Sequence, residues 1–423
     1  MNRVLIKQVL GTLRENPLLS LISIVGTALA IAMIMALVIA YEVKSAGYRP
    51  ETNRHRTLYV TRGNYVKPQS NSSSYNSFRL IKEVFYPLAT PQTVTAVSSG
   101  NERLISIPAG RNEYKADVCY TDERFWNVFE FRFLAGKPFT EEDVQSGIRK
   151  AVVNESLARG LYGTAEVVGK PVLVSFVEYT VCGVVPDVST FALSAYAEVW
   201  TPHTTTTFHP NMETEDTTGN FCCYILARSR SDFTAIREEA ARSVKQFNAN
   251  LRDGTYELNG QPETHFLSIY RQGNEQANGR GIVLRYAIVL AILLLVPAIN
   301  LSGMTLSRMK KRMPEIGIRK AFGATSGRLL MQILYENLLL TLIGGALGLA
   351  ISYLAVAFMS DWLLVTETVS MREGAASLSA EMTVNPMVFI YAFLFCLALN
   401  LLSAGIPAWR TSRANIVHAI YGD

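Results

Sequence analysis

Charge is scarce in this chain: Asp, Glu, Lys and Arg make up 18% of its 423 residues, while apolar types supply 49%. That balance is unusual for a wholly soluble protein. Histidine is rarer still, with 5 residues scattered at His55, His203, His209, His265 and His418. His203 and His209 share a Thr-rich stretch, 201–219, which reads as a flexible loop with solvated imidazoles, not as a metal site. Cysteine also numbers 5, with Cys119, Cys182, Cys222 and Cys223 apart from Cys396. No Cys or His spacing matches a zinc site, and neighbours such as Cys222 and Cys223 seldom bridge each other, so no disulfide is indicated. No nucleophile stands with recognisable partners, which predicts a non-catalytic chain. A phosphate loop is missing too. In Gly163 to Lys170 (GTAEVVGK) five residues separate the glycines where four are needed, and Pro171 replaces Ser or Thr.

Long apolar runs are what the sequence does have. Leu18 to Tyr41 carries no charge over 24 positions, enough to cross a hydrocarbon core of about 30 Å as a helix. Further runs are Ile282 to Met304, Leu329 to Phe358 and Met387 to Pro407. The first follows Arg3, Lys7 and Arg14 like a secretory leader, but it outlasts a signal h-region of roughly 7–15 residues and passes into Tyr41-Glu42-Val43-Lys44, so it reads as uncleaved.

Basic residues near helix ends stay cytoplasmic. They cluster before the first run, at Arg308, Lys310, Lys311, Arg312, Arg319, Lys320 and Arg328, and at Arg410 and Arg413. The expected fold class is therefore an integral membrane α-helical protein with four transmembrane helices and a large α+β extracytoplasmic domain. Its layout is a cytoplasmic interfacial amphipathic helix over 1–16, crossings at 17–41, 282–306, 329–358 and 387–407, and an outer domain over 42–281. A cytoplasmic connection spans 307–328, a short outer loop 359–386 and a cytoplasmic tail 408–423. Residues 42–285 hold 27 basic and 27 acidic side chains, so the pI of 8.8 reflects topology and nucleic acid is not an expected partner.

Within the outer domain, Arg56 to Arg62 and Arg103 to Ile107 read as extended, Ser77 to Leu88 as helix, and Val172 to Val185 as a hairpin. Tyr224 to Ala227 then reads as a strand before a helix over Phe233 to Leu251. Among the apolar runs, Pro297 is expected to kink the second helix. Gly344, Gly345 and Gly348 lie in the third, and the four-residue spacing of Gly344 and Gly348 lets another helix approach closely, with ordinary glycine enrichment as the competing explanation. Glu336 is expected near the cytoplasmic interface.

The most informative stretch is Arg308 to Gly327, RMKKRMPEIGIRKAFGATSG. Pro314 suits a first helical turn, Glu315 favours its positive end and pairs with Arg319 at i,i+4, and Gly323 fits the stop. PEIGIRKAFGA resembles the EIGIRKAxGA signature of the FtsX/MacB permease family, and YENLLLTLIGGALGL resembles that family's third helix. GIPAWRTSRAN resembles its closing motif, with Ile416 where many relatives place proline. AVVNESLARGLYG, VVGKPV and YTVCGVVPDV resemble the MacB-type periplasmic core, in a porter-like part formed by the flanks and an inserted sabre-like part.

The resemblance implies a permease subunit in the bacterial inner membrane, without a fused ATPase. Pro314 through Gly323 would be the helix that docks on a separate ABC ATPase. Glu315 and Arg319 would orient it, Ile316 and Ile318 would give apolar contact, Gly317 close approach, and Lys320, Ala321 and Phe322 its last turn. ATP and Mg would be bound by that partner and no cofactor by this chain. The resemblance also implies a homodimer or a heterodimer with a paralogous permease, and a periplasmic adaptor with an outer-membrane duct as further partners. The exported or extracted substrate would be a drug, peptide or lipoprotein. An FtsX-like transducer that regulates a cell-wall hydrolase is the alternative; its outer domains are usually much smaller than 42–281.

Overall fold

The computed structural model describes residues 17–108, 110, 113–206, 217–251, 254–292, 295, 303, 318, 321–323, 325–364, 390, 393–394, 397–398, 401–402, 405 and 409. The expected helix at 1–16, Pro297 and the loop 359–386 beyond 364 lie outside them. The chain divides into a helical unit, Met1–Glu42 with Gly281–Leu364 and Thr383–Asp423, and an α+β unit, Val43–Arg280 with Val365–Met382.

In the helical unit Pro17 opens α1 (Pro17–Ser45), because its missing N–H costs nothing in a first turn. The long helix Ser326–Leu364 runs for 39 residues, about 58 Å at 1.5 Å per residue, and so begins and ends beyond the expected 329–358. Residues 279–292 are helical, as are the described residues from 390 to 409. Taking only the described residues, no helix is long and apolar enough to cross a membrane. Several side chains of both long helices lie outside that set, and the uncharged run 18–41 within α1 is a property of the sequence.

The strands of the α+β unit are β1 (Thr57–Val60), β2 (Arg62–Lys67), β3 (Ser70–Asn76), β4 (Thr93–Ser106), β5 (Glu113–Thr121), β6 (Ala135–Gly136) and β7 (Lys150–Asn154). They continue as β8 (Pro171–Val174), β9 (Val177–Val185), β10 (Val199–Pro202), β11 (Thr218–Gly219), β12 (Cys222–Leu226), β13 (Thr255–Glu257) and β14 (Glu263–Thr264). Among the described residues one sheet has ten strands in the order β14-β1-β12-β4-β5-β10-β7-β9-β6, with β8 on β4 and β9; a smaller one runs β11-β3-β2-β13. Only the β5–β10 and β7–β9 pairings of the large sheet are parallel. In β4 the register shifts between Ser98 and Asn101, and Gly100 at φ +74° takes the left-handed position that such a bulge needs.

Three apolar clusters follow from these strands. One joins β1, the helical turn at 80–88, β4 and β12 to α3 (Phe233–Ala249), so it is built from both flanks of the unit. Another gathers Phe125, Phe129, Phe139 and Trp200, and a third packs α2 (Glu155–Tyr162) on β5, β7 and β9. Both of the latter draw on the segment between β5 and β12, which the large sheet joins to the strands on either side of it.

The motif AVVNESLARGLYG becomes β7 followed by α2. The Asn154 carboxamide oxygen accepts from the Leu157 N–H at 3.1 Å, and Gly163 at φ +73° donates its N–H to Arg159 O at 2.7 Å. Gly163 therefore ends a helix, at the negative pole of its dipole, a third reason why GTAEVVGK is no phosphate loop.

Two expectations need correction. The stretch 56–62 is two strands in two sheets, broken at Thr61, whose N–H donates to Gln261 Oε1 at 2.7 Å. In the expected loop 201–219, residues 201–205 and 218–219 are instead strand and 3-10 turn, with His203 4% exposed and its ring 4.1 Å from that of Phe78, while 207–216 lie outside the described residues. Aromatic stacking outweighs the local Thr-rich composition there. His209 lies outside the described residues, among which no group could hold a metal ion.

Candidate functional site

In the segment expected to dock, Ile318 and Ala321 are helical and the Phe322 N–H donates to Ile318 O at 3.0 Å, closing an i,i+4 turn. Gly323 has φ +88°, the left-handed stop that its position in the sequence predicts. Ile318 is 52% and Phe322 88% exposed. A helix end that presents an aliphatic side chain and a whole aromatic ring to its surroundings is suited to a partner surface. Pro314, Glu315, Ile316, Gly317, Arg319 and Lys320 lie outside the described residues, so the Glu315–Arg319 pair is a property of the sequence alone.

The glycines of Ser326–Leu364 face two neighbours. A Cβ on Gly344 would stand 3.0 Å from Thr27 Cβ, and one on Gly348 would stand 2.6 Å from Ala28 O. Thr27, Ala28 and Ile31 on α1 are each 2% exposed. Gly345 belongs to a different contact: its Cβ would fall on the Phe393 ring. Thus 344 and 348 form one close approach, with Ser352, 0% exposed, continuing the small-residue face. The Glu336 side chain is outside the described set.

The α+β unit is entered after α1 and left before the helix at 279–292, and these two connectors are tied to each other. β1 and β14 pair antiparallel, Leu58 with Thr264 and Tyr59 with Glu263. On the entry side Arg54 Nε donates to Glu51 at 2.7 Å, with side chains 2% and 1% exposed. The same guanidinium donates to Ala46 O at 2.6 Å and Phe191 O at 2.7 Å, while Glu51 accepts from the Ser194 and Ala195 N–H groups. On the exit side Arg271 donates to both Glu263 oxygens at 2.6 and 2.9 Å, again 2% and 1% exposed, and to Asn259 O at 2.9 Å. Nothing in the local sequence distinguishes these four charges from surface ones; only the sheet topology brings Glu263 to β1. Sequence reasoning missed them for that reason.

Burial also sets two titrations here. His265, on α4 (His265–Ile269), stacks 5.3 Å from Tyr59; desolvation, helped by the Arg54 cation, lowers it to about 3 and keeps the ring neutral. Asp122 accepts from Thr95 Oγ1 at 2.5 Å, from the Phe125 and Ala96 N–H groups at 3.0 and 3.2 Å, and from the Tyr86 hydroxyl. Its desolvation outweighs those donors and pushes it up to about 6. Among the described residues Cys119, Cys182, Cys222 and Cys223 form no disulfide, and burial pushes the Cys182 and Cys222 thiols up to about 12, which disfavours the thiolate at both.

Residues 20–243 match the family model of the MacB-like periplasmic core domain, and residues 287–416 that of the FtsX-like permease C-terminal domain. The macrolide export ATP-binding/permease protein MacB of Chromobacterium violaceum is 26% identical over 309 residues, 73% of this chain and 44% of that protein. MacB 1 of Yersinia pestis bv. Antiqua is 25% identical over 349 residues, 81% of this chain and 48% of that protein. The chain thus spans about half the length of the curated relatives it matches. Similar solved structures are the extracellular domain of the transporter YknZ from Gram-positive bacteria and the periplasmic region of MacB from Actinobacillus actinomycetemcomitans. Each is 16% identical with TM-score 0.35 over 48% of this chain, covering 98% and 87% of those chains. With a periplasmic core model over its α+β unit and a permease model over its C-terminal helices, the chain belongs to the MacB/FtsX family of ABC transporter permeases.

Proposed function

We propose that this chain is the permease subunit of a MacB-type ABC transporter that receives the work of a separate cytoplasmic ATPase through the turn ending at Gly323. ATP and Mg are held by that partner. Four crossings of the bacterial inner membrane, with both termini in the cytoplasm and the α+β unit in the periplasm, fit the distribution of basic residues. Two permeases, identical or paralogous, serve one ATPase pair. Closure of the ATPases pushes the docking helices, and the helices move the periplasmic units to export or extract a drug, peptide or lipoprotein, with or without an adaptor and outer-membrane duct.

The observation that carries this reading is the exposed Ile318 and Phe322 pair on a capped helix end inside the segment matching the FtsX-like domain. The tied connectors support it, since a push on either helix then reaches the α+β unit through buried, hydrogen-bonded strands instead of a loose linker. The test is co-purification of the ATPase with Arg319→Glu and Gly317→Leu variants beside a Lys310→Ala control. Charge reversal costs only about 0.5 kcal/mol within a helix, so a large loss arises at the interface. Wild-type recovery and turnover in both variants would reduce the segment to a basic topology loop.

A further inference from the structure

A cleft of about 650 Å³ opens in the helical unit, between the first turns of Ser326–Leu364 and the described residues from 401 to 409. Leu330, Leu334 and Leu338 line one wall at i,i+4 spacing, and Leu402, Gly405 and Trp409 line the other at i,i+3 and i,i+4 spacing. Each set is a single helix face. Among the described residues no lining side chain carries a charge, and their polar atoms are the Tyr335 hydroxyl and the Trp409 indole N–H. Gly405 makes the room: a Cβ there would stand 3.9 Å from Leu334 Cδ2, in ordinary contact.

Charge marks one end of this cleft. Arg328 precedes Met331 at i,i+3 and Tyr335 at i,i+7, so it stands on the same stripe nearer the start of the helix, and it is exposed. On the other wall Trp409, 47% exposed, comes between the leucines and Arg410, with Arg413 following in the sequence. Aliphatic wall, aromatic rim and cation succeed one another as the acyl, interfacial and headgroup layers of a leaflet do.

An aliphatic cleft that ends in cations is complementary to an amphiphile with an anionic head. Charge disfavours two other occupants. Residues 1–16 carry Arg3, Lys7 and Arg14 against Glu15, and a second copy seated about a two-fold axis at the cleft would set Arg328 against Arg328. We infer that the cleft holds an acyl chain of an anionic phospholipid from the cytoplasmic leaflet, with the Arg328 end receiving its phosphate. This placement rests on the topology proposed above, which sets the start of Ser326–Leu364 at that leaflet. Ser326 comes soon after Gly323, so the bound lipid would brace the helix that follows the docking turn against residues 401–409.

The test reconstitutes the full chain in phosphatidylethanolamine vesicles, with Trp362→Phe so that Trp409 is the sole tryptophan of the helical unit. Trp126 and Trp200 belong to the α+β unit and give a constant background. Acyl-brominated phosphatidylglycerol or acyl-brominated phosphatidylcholine is added in rising fractions, and each quenches Trp409 where it occupies the cleft. Phosphatidylglycerol should reach half-maximal quenching at a fraction at least roughly fivefold lower, the factor that one basic side chain contributes beside anionic lipid. Arg328→Gln with Arg410→Gln should bring the two lipids to parity. Gly405→Leu, which fills the cleft, should reduce quenching by both, and Arg280→Gln, at the start of the helix 279–292, should leave the preference unchanged. Should the Gly405 variant misfold, the arginine double variant, which alters no lining residue, still decides. Equal quenching by both lipids, or a preference that survives loss of both arginines, overturns the inference. So does an absence of quenching, which would give the cleft to residues 1–16 or to a second copy. Flotation with the vesicles and co-purification of the ATPase are read on the same preparations. A floating, ATPase-binding chain without lipid selectivity leaves the permease reading standing, whereas a chain that does not float overturns both.

Discussion

The two units hold themselves together by opposite means. In the helical unit, among the described residues, a close approach is made where side chains are missing, with Gly344 and Gly348 against Thr27, Ala28 and Ile31. In the α+β unit the interior is filled by Trp200, Phe85, Phe125 and Phe139, and the buried charges Glu51 with Arg54 and Glu263 with Arg271 are paired. Under the topology proposed above, the contrast follows from the solvent each unit meets. Burying a large apolar side chain away from water gains about 25 cal/mol per Å², whereas between helices in lipid that gain vanishes and close packing must supply the attraction. Enlarging a residue should therefore harm the first unit, and unpairing a charge the second.

The largest expected effect is on the buried pairs. Glu263→Gln leaves the Arg271 guanidinium inside without its counter-charge, at a cost of about 3–5 kcal/mol. Replacing both, Glu263→Leu with Arg271→Met, should recover much of that loss, because an apolar pair avoids the desolvation cost of the ions. Denaturant unfolding followed by tryptophan fluorescence reads it, Trp200 being fully buried. A double variant as unstable as the single one would mean the pair contributes through something other than charge.

Next in size is a pH effect within the α+β unit. His265 is lowered to about 3 in the folded chain against 6.5 unfolded, so the stability it contributes is present above 6.5 and lost as pH falls toward 3. Asp122 is raised to about 6 against 3.8, so its contribution is present below 3.8 and lost as pH rises through 6. Between pH 3.8 and 6 the two oppose each other at about 1.4 kcal/mol per pH unit each. His265→Phe keeps a ring against Tyr59 and removes one side of that balance. Relative to wild type, its stability should decline as pH rises from 4 to 6; parallel profiles would refute the assignment.

In the helical unit Gly348→Ala places a methyl 2.6 Å from Ala28 O, an overpacking cost of about 1–3 kcal/mol. Amide exchange across α1 should quicken while the α+β unit keeps its unfolding midpoint. Equal loosening of both units would erase the distinction between them.

What the sequence reveals of this chain divides along the same line. Gly323 was legible because it is local: the residue type and the backbone angle it permits are a single fact. The hairpin of β8 and β9 and the strand-then-helix of β12 and α3 were legible from periodicity. The split of 56–62 between two sheets was not, because Thr61 breaks the strand to meet Gln261, two hundred residues later in the chain. The same holds for Glu263 opposite Tyr59 of β1, and for His203 against Phe78. Long-range pairing decides these, and no window of sequence contains both partners.

The smallest expected change in folding belongs to Phe322→Ser, and it sharpens the comparison most. At 88% exposure the ring buries almost nothing within the chain, so neither unit should lose stability, and Gly323 still supplies the left-handed stop that ends the turn. A large aromatic ring left in the open is unfavourable unless something covers it, and aromatic residues in partner pockets are frequent hot spots, worth about 2 kcal/mol or more on truncation. ATPase retention on the variant should accordingly fall by more than about tenfold, with circular dichroism and membrane yield unchanged. Wild-type retention would place Phe322 in lipid instead, and the coupling turn would then have to make its contact through Ile318 and the charged face alone.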